Sequence, residues 1–159
     1  MNVLGCDVST WQDADSTPQR MNFEKTVQMG AKFVFIKASQ SIWLDQDFVY
    51  NWDAAGRAGL PRGAYHYFTW DKPAIEQARF FSGLLKQDCG ELSPVLDYEC
   101  RAGVPARASA IQRAKIFVEE VEQLLGKPMQ VYTSNGFWGE YGSIHAFWAA
   151  RKLWLASYG

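Results

Sequence analysis

Three observations predict an α/β barrel of parallel strands covered by helices. Strand-like and helix-like segments alternate along the whole chain, with no linker, repeat or low-complexity run. No glycine-rich phosphate loop follows any strand, which weighs against a doubly wound nucleotide-binding sheet. Polar residues gather at the C-terminal ends of the strands, where barrels of this kind build their active sites.

The first strand lies in Val3 to Val8, an apolar run carrying Asp7 near its end and passing into Ser9-Thr10-Trp11-Gln12. Asn22 to Met29 reads as a short helix ended by Gly30. Lys32 to Ala38 (KFVFIKA) is rich in β-branched and aromatic residues and reads as a buried second strand. Phe48, Trp52 and Ala55 give Asp47 to Ala58 a helical spacing, closed by Gly59 and Pro61. Arg62 to Phe68 (RGAYHYF) is the third strand, and Asp71-Lys72-Pro73 opens a helix that ends near Leu85.

Glu91 to Asp97 is the fourth strand. Beyond a loop at Gly103 and Pro105 comes the longest helix, Ala106 to Leu125, with Ile111, Ala114, Val118, Val121 and Leu125 on its inner face. Gly126-Lys127-Pro128 stops it. Met129 to Thr133 is the fifth strand, Ser134 to Phe147 a mixed segment with a helical turn, and Leu153 to Ser157 the sixth strand. Asp7, Lys37, Tyr67, Asp97 with Glu99, Tyr132 and Tyr158 all fall at or just past strand ends.

A chain of 159 residues, 48% hydrophobic and 21% charged, fits one globular domain over 1–159. The net charge of -1, with Lys and Arg scattered, gives no field for capturing nucleic acid. No apolar run approaches membrane-spanning length, and no basic and apolar leader opens the chain. Synthesis in the cytoplasm without a signal peptide is therefore expected. Cys6, Cys89 and Cys100 lack metal-ligand spacing and are expected as free thiols. The seven Trp, seven Tyr and ten Phe are the unusual feature, because flat rings near strand ends suit the apolar faces of sugars.

The chemistry concentrates in Val95-Leu96-Asp97-Tyr98-Glu99-Cys100. Residues i and i+2 of a strand share a face, so Asp97 and Glu99 are placed together. Crowding two carboxylates at a half-buried strand mouth raises the proton affinity of at least one. A carboxylic acid tuned this way donates a proton near neutral pH. An acidic loop start after a strand is the plainer alternative. Tyr65 and Tyr67 share a face by the same alternation. His66 takes the other, and is expected to be packed under the helices. Trp43, Trp70 and Trp138 follow strands and serve either as a binding platform or as lids.

The chain resembles the glycoside hydrolase family 25 lysozymes, the N-acetylmuramidases of phage endolysins and bacterial autolysins. The resemblance rests on Gly5-Cys6-Asp7-Val8-Ser9 with Gln12, Phe35-Ile36-Lys37-Ala38, Gly63-Ala64-Tyr65-His66-Tyr67 and Pro94-Val95-Leu96-Asp97-Tyr98-Glu99. Val131-Tyr132-Thr133 and Leu153-Trp154-Leu155-Ala156-Ser157-Tyr158 complete it, in the family's order over essentially the whole chain. The resemblance implies an irregular TIM-like barrel that cleaves the β-1,4 bond between N-acetylmuramic acid and N-acetylglucosamine in peptidoglycan, with no metal or cofactor.

By the same resemblance Glu99 is the general acid, and Asp97 and Asp7 position substrate or act as nucleophile or base. Lys37, Tyr65, Tyr67, Tyr132, Trp154 and Tyr158 would contact sugars. A substrate N-acetyl group attacking in place of a carboxylate stays open. So do two other functions: a cell-wall-binding relic without turnover, and another Asp-x-Glu glycosidase such as a chitinase.

Two departures from the family pattern stand out. Ser39-Gln40-Ser41 replaces the Thr-Glu-Gly of many members, which removes a charge. The family also continues past the sixth strand with two more, whereas this sequence stops at Gly159. The expectation is a C-terminally short barrel with open edges, completed by a homodimer or incomplete.

Overall fold

The computed structural model describes residues 3–12, 20–142 and 146–157. Tyr158 and His145 lie outside the described residues. The strands are β1 (Cys6–Val8), β2 (Val34–Gln40), β3 (Trp43–Leu44), β4 (Arg62–Tyr67), β5 (Val95–Asp97), β6 (Gln130–Ser134) and β7 (Lys152–Ala156). The α-helices are α1 (Phe23–Gln28), α2 (Phe48–Arg57), α3 (Ala74–Leu85), α4 (Arg107–Leu125), α5 (Asn135–Tyr141) and α6 (Ala146–Ala149).

The sheet runs β1-β2-β4-β5-β6-β7, every neighbouring pair parallel, with β3 antiparallel against β2. Parallel strands need crossovers, and α2, α3 and α4 supply them. Their ends follow local chemistry. Asn22 Oδ1 accepts the Lys25 amide and starts α1. Gly126, in the left-handed region at φ 65°, ends α4.

β5 is shorter than the strand expected from Glu91. The Glu91 carboxylate is drawn instead to Arg62, accepting its backbone amide at 2.8 Å and a guanidinium N–H at 3.0 Å. Gly90 has φ 68°, and Pro94 offers no N–H to a ladder. The β3 hairpin was not legible in the sequence. It forms because Ser41 turns the chain at φ 51°, with its hydroxyl bonded to Asp71 at 2.9 Å.

The core lies between sheet and helices, where Val8, Val34, Ile36, Ala64, Leu96 and Val131 are closed from solvent by residues such as Phe81, Phe117 and Val118. His66 is fully buried there, as expected. It stacks on Phe117 at 4.8 Å, with Nδ1 2.8 Å from Ser39 Oγ and Nε2 3.1 Å from Gln77 Oε1. All three cysteines are free thiols, Cys100 buried and the others half-buried.

The sheet curls into a half-barrel. Phe35 of β2 meets Trp154 of β7 at 5.2 Å between ring centroids. Gly63 makes room for this, since a Cβ there would fall 2.3 Å from the Phe35 ring. Among the described residues β1 pairs only with β2 and β7 only with β6, so both edges are open. No described helix is long and apolar enough to cross a membrane.

Candidate active site

Strand register carries the site. Gln40, Tyr67, Asp97, Tyr132 and Trp154 are partners in sequence across β2, β4, β5, β6 and β7. The adjacent row on the same face is Lys37, Tyr65, Val95, Gln130 and Lys152. These rows share the sheet face that turns toward the inside of the curl, and Asp7 joins them from β1, paired with Phe35.

Between Asp97 and Glu99, Tyr98 points the other way and anchors the segment. Its ring is 1% exposed, packed edge-on to Phe137, and its hydroxyl donates to the Tyr141 carbonyl at 3.2 Å. The Tyr98 amide donates to the Tyr132 carbonyl, and Thr133 Oγ1 donates to the Tyr98 carbonyl at 2.6 Å. With Tyr98 fixed outward, period-two geometry sends both carboxylates inward, although β5 itself ends at Asp97.

A cavity of about 190 Å³ is lined by Asp7, Tyr65, Val95, Asp97, Glu99, Tyr132 and Trp154. Six of the nine residues expected at the site therefore meet there. Lys37 and Tyr67 stand beside the cavity without lining it. Lys37 Nζ lies 5.3 Å from the Tyr67 ring centroid and donates to Gln40 Oε1 at 3.0 Å. A bulge explains this: Lys37 pairs with Tyr65 and Ser39 with His66, leaving Ala38 as an extra residue. The bulge turns Gln40 to the face that Lys37 occupies, where its amide takes the ammonium.

The electrostatics separate the two acids. Burial, reinforced by Glu99 and Asp7 and opposed by Lys37, pushes Asp97 up to about 8. Its Oδ1 is buried and accepts no hydrogen bond from the described residues. Glu99, half-buried and farther out, is raised by burial. Burial lowers the Lys37 ammonium, while Asp45 and Asp97 pull it back up. Burial also raises the Tyr65 phenol, so it stays a neutral hydrogen-bonding group. A neutral, deeply set Asp97 and a more open carboxyl at Glu99 give one site with two distinct acids. No cluster of three or more His, Cys, Asp or Glu among the described residues is arranged to hold a metal ion.

The three tryptophans that follow strands divide. Trp70 is a lid, 9% exposed, its indole N–H donating to the Cys100 carbonyl at 2.7 Å. Trp138 packs edge-on to Trp148 at 5.9 Å. Trp43 is exposed. Sequence reasoning missed Asp45, which is 6% exposed and accepts the Thr10 amide at 3.3 Å. No local pattern distinguishes such an aspartate from a solvated one.

Known proteins resemble this chain in sequence and in fold. The model of the family described as Glycosyl hydrolases family 25 matches residues 6–159. An uncharacterized protein, YegX, from Escherichia coli K12 is 31% identical over 98% of this chain and 56% of its own length. Lysozyme M1 from Streptomyces globisporus is 26% identical over 99% of this chain and 55% of its own. The chain thus spans little more than half the length of these curated relatives. The solved muramidase from Trichobolus zukalii superposes with a TM-score of 0.83 at 26% identity, covering 99% of this chain and 78% of that one.

Proposed function

This chain belongs to glycosyl hydrolases family 25, and from that premise we propose that it is a muramidase hydrolysing peptidoglycan glycan strands. The bond cut is the β-1,4 linkage between N-acetylmuramic acid and N-acetylglucosamine. The observation that carries this reading is the convergence of Asp7, Asp97 and Glu99 on one aromatic-walled cavity. The unit of function is a single catalytic domain over 1–159, acting on the bacterial cell wall.

Glu99 is the general acid. It is the more open of the pair, and burial raises its proton affinity, which favours a proton held until transfer. Its proton passes to the glycosidic oxygen as that oxygen leaves the anomeric carbon. Asp97, protonated at neutral pH, serves as a hydrogen-bond donor rather than a nucleophile. Its carbonyl oxygen still accepts a substrate N–H, the N-acetyl's included, which turns the acetyl oxygen toward the anomeric carbon without tying up that oxygen. Asp7, exposed at the far wall, faces the positive charge that develops there or the water that completes hydrolysis. Tyr65, Tyr132 and Trp154 give the sugar a flat apolar bed with hydroxyl partners.

The binding partner is the peptidoglycan glycan strand. A second copy of this chain laid along β7 is the reading for the open edge, where Leu153 and Leu155 are 41% and 43% exposed. Light scattering giving a monomer would remove it.

The test of function is reducing-end release from purified peptidoglycan, with mass spectrometry of the products, beside Glu99→Gln. Products ending in reducing N-acetylmuramic acid, lost in the variant, are expected. Release from chitin oligomers but not from peptidoglycan would make the protein a chitinase. Wall binding without release would make it a carbohydrate-binding protein.

A further inference from the structure

We propose that Trp43, with Trp11 on a neighbouring turn, forms a second glycan-binding platform on the rim of the cleft, holding sugar rings remote from the bond being cut. The proposal rests on the muramidase reading above and deepens it.

Register places the platform. β1 pairs with Val34 to Ile36 of β2, and β3 pairs with Ser39 and Gln40. The other side of β2 at this level is taken by β4, through Gln40 and Tyr67. β3 therefore continues the sheet edge where β1 leaves off, at the end of the strands that carries the cavity. The turn after β1, Thr10 to Gln12, is tied to the segment just after β3 by the Thr10 amide, which donates to Asp45 at 3.3 Å.

Asp45 fastens the two together. Its backbone amide donates to the Ala38 carbonyl at 3.0 Å, and its carboxylate accepts the amides of Thr10 and Asp47 at 3.3 and 3.2 Å. Trp43 is the antiparallel partner of Gln40, and opposed residues share a face. That face is the one on which Gln40 holds Lys37 beside the cavity.

Both indoles are bare. Trp43 is 69% and Trp11 79% exposed, and neither has a ring partner among the described residues, whereas Trp52, Trp70 and Trp148 are buried. A large flat apolar surface in water, fixed on a braced arm rather than folded into the core, is built to be covered. The occupant follows from the cavity. At about 190 Å³ it is smaller than the ~300–1,000 Å³ of most ligand sites, so a polymeric substrate must run on over the rim. Sugar rings offer indoles an apolar face, and contacts remote from the reacting bond contribute to positioning it.

Trp43→Ala and Trp11→Ala, made in the full chain, test this through kcat/KM on two substrates. These are long purified glycan strands and the shortest soluble oligosaccharide that wild type cleaves. A loss of about tenfold on long strands, carried in KM, is expected for Trp43→Ala, with the short substrate unchanged and Trp43→Phe restoring part of it. Equal losses on both substrates, or none on either, would overturn the platform. So would a dimer that Trp43→Ala dissolves, because the indole then meets a second copy. If wild type cleaves neither substrate, the muramidase reading fails while the platform is still tested by cosedimentation with insoluble peptidoglycan. Weaker sedimentation of Trp43→Ala supports the platform and equal sedimentation overturns it. Unchanged thermal melting is expected, since both side chains are exposed.

Discussion

The Trp154 indole on β7 rests 5.2 Å from the Phe35 ring on β2, although β4, β5 and β6 lie between those strands in the sheet. Such a contact is possible only because the sheet coils on itself. Trp154 also packs edge-on to Tyr132 at 4.9 Å, so one side chain fills the hollow and walls the cavity.

Trp154→Ala should therefore damage both fold and site. The loss in stability is expected near ~3 kcal/mol, the low end for a large aromatic, because the indole is only half-buried. Urea denaturation checks the stability, and the fall in activity should exceed that of a surface variant such as Leu124→Ala. A change below about 1 kcal/mol would mean that the curl is held without Trp154.

Asp97 stores strain against ionisation. Its carboxyl is raised from the ordinary range to about 8, so between those limits the folded chain holds a proton that the unfolded chain has lost. Stability from this group is accordingly lost as pH rises through that window. Asp97→Asn should be more stable than wild type by at least about 1 kcal/mol at pH 8, with the gain shrinking toward pH 4. A gain independent of pH would sink this account.

His66 works in the opposite sense. Burial holds it near 4, so it stays neutral in the fold while the unfolded imidazole protonates below about 6.5. Stability is lost as pH falls from there toward 4. In wild type the Asp97 effect offsets part of this slope. Asp97→Asn should expose the full His66 dependence, seen as a steeper fall in urea midpoint from pH 6.5 to 4.5.

Gln77 assigns the histidine tautomer. Its amide nitrogen donates to the Thr69 and Lys72 carbonyls at 2.9 and 3.0 Å, so Oε1 faces His66, which must donate from Nε2 and accept the Ser39 hydroxyl at Nδ1. Gln77→Leu removes these partners in a place closed to water. A loss of about 2–4 kcal/mol is expected from thermal or urea unfolding, well above the effect of Gln87→Leu in the loop after α3.

Ser41 sets strain against hydrogen bonding. Its φ of 51° favours glycine, yet its hydroxyl bonds both Asp71 oxygens at 2.9 and 3.0 Å. Ser41→Ala keeps the strain and loses the bonds, whereas Ser41→Gly loses the bonds and relieves the strain. Ser41→Gly should therefore melt above Ser41→Ala, and the reverse order would mean that the turn carries no strain.

The sequence by itself determined the alternation of strands and helices, the bounds of α1 to α4 to within a few residues and the inward pair at Asp97 and Glu99. Those features are local. A cap such as Asn22, a stop such as Gly126 and the period of two in a strand act over a few residues. It also placed His66 in the core, because alternation with Tyr65 and Tyr67 leaves it no other face.

Tertiary structure decided what depends on residues distant in the chain. The Ala38 bulge, visible only as a register slip against β4, drew Lys37 to Gln40 and Tyr67 and away from lining the cavity. Glu91 shortened β5 because Arg62 lies within reach only after folding. Trp70 became a lid and Trp43 an exposed ring of β3, although both simply follow strands in the sequence. Burial and register are sums over neighbours from separate elements, and a linear pattern holds no record of which neighbours arrive.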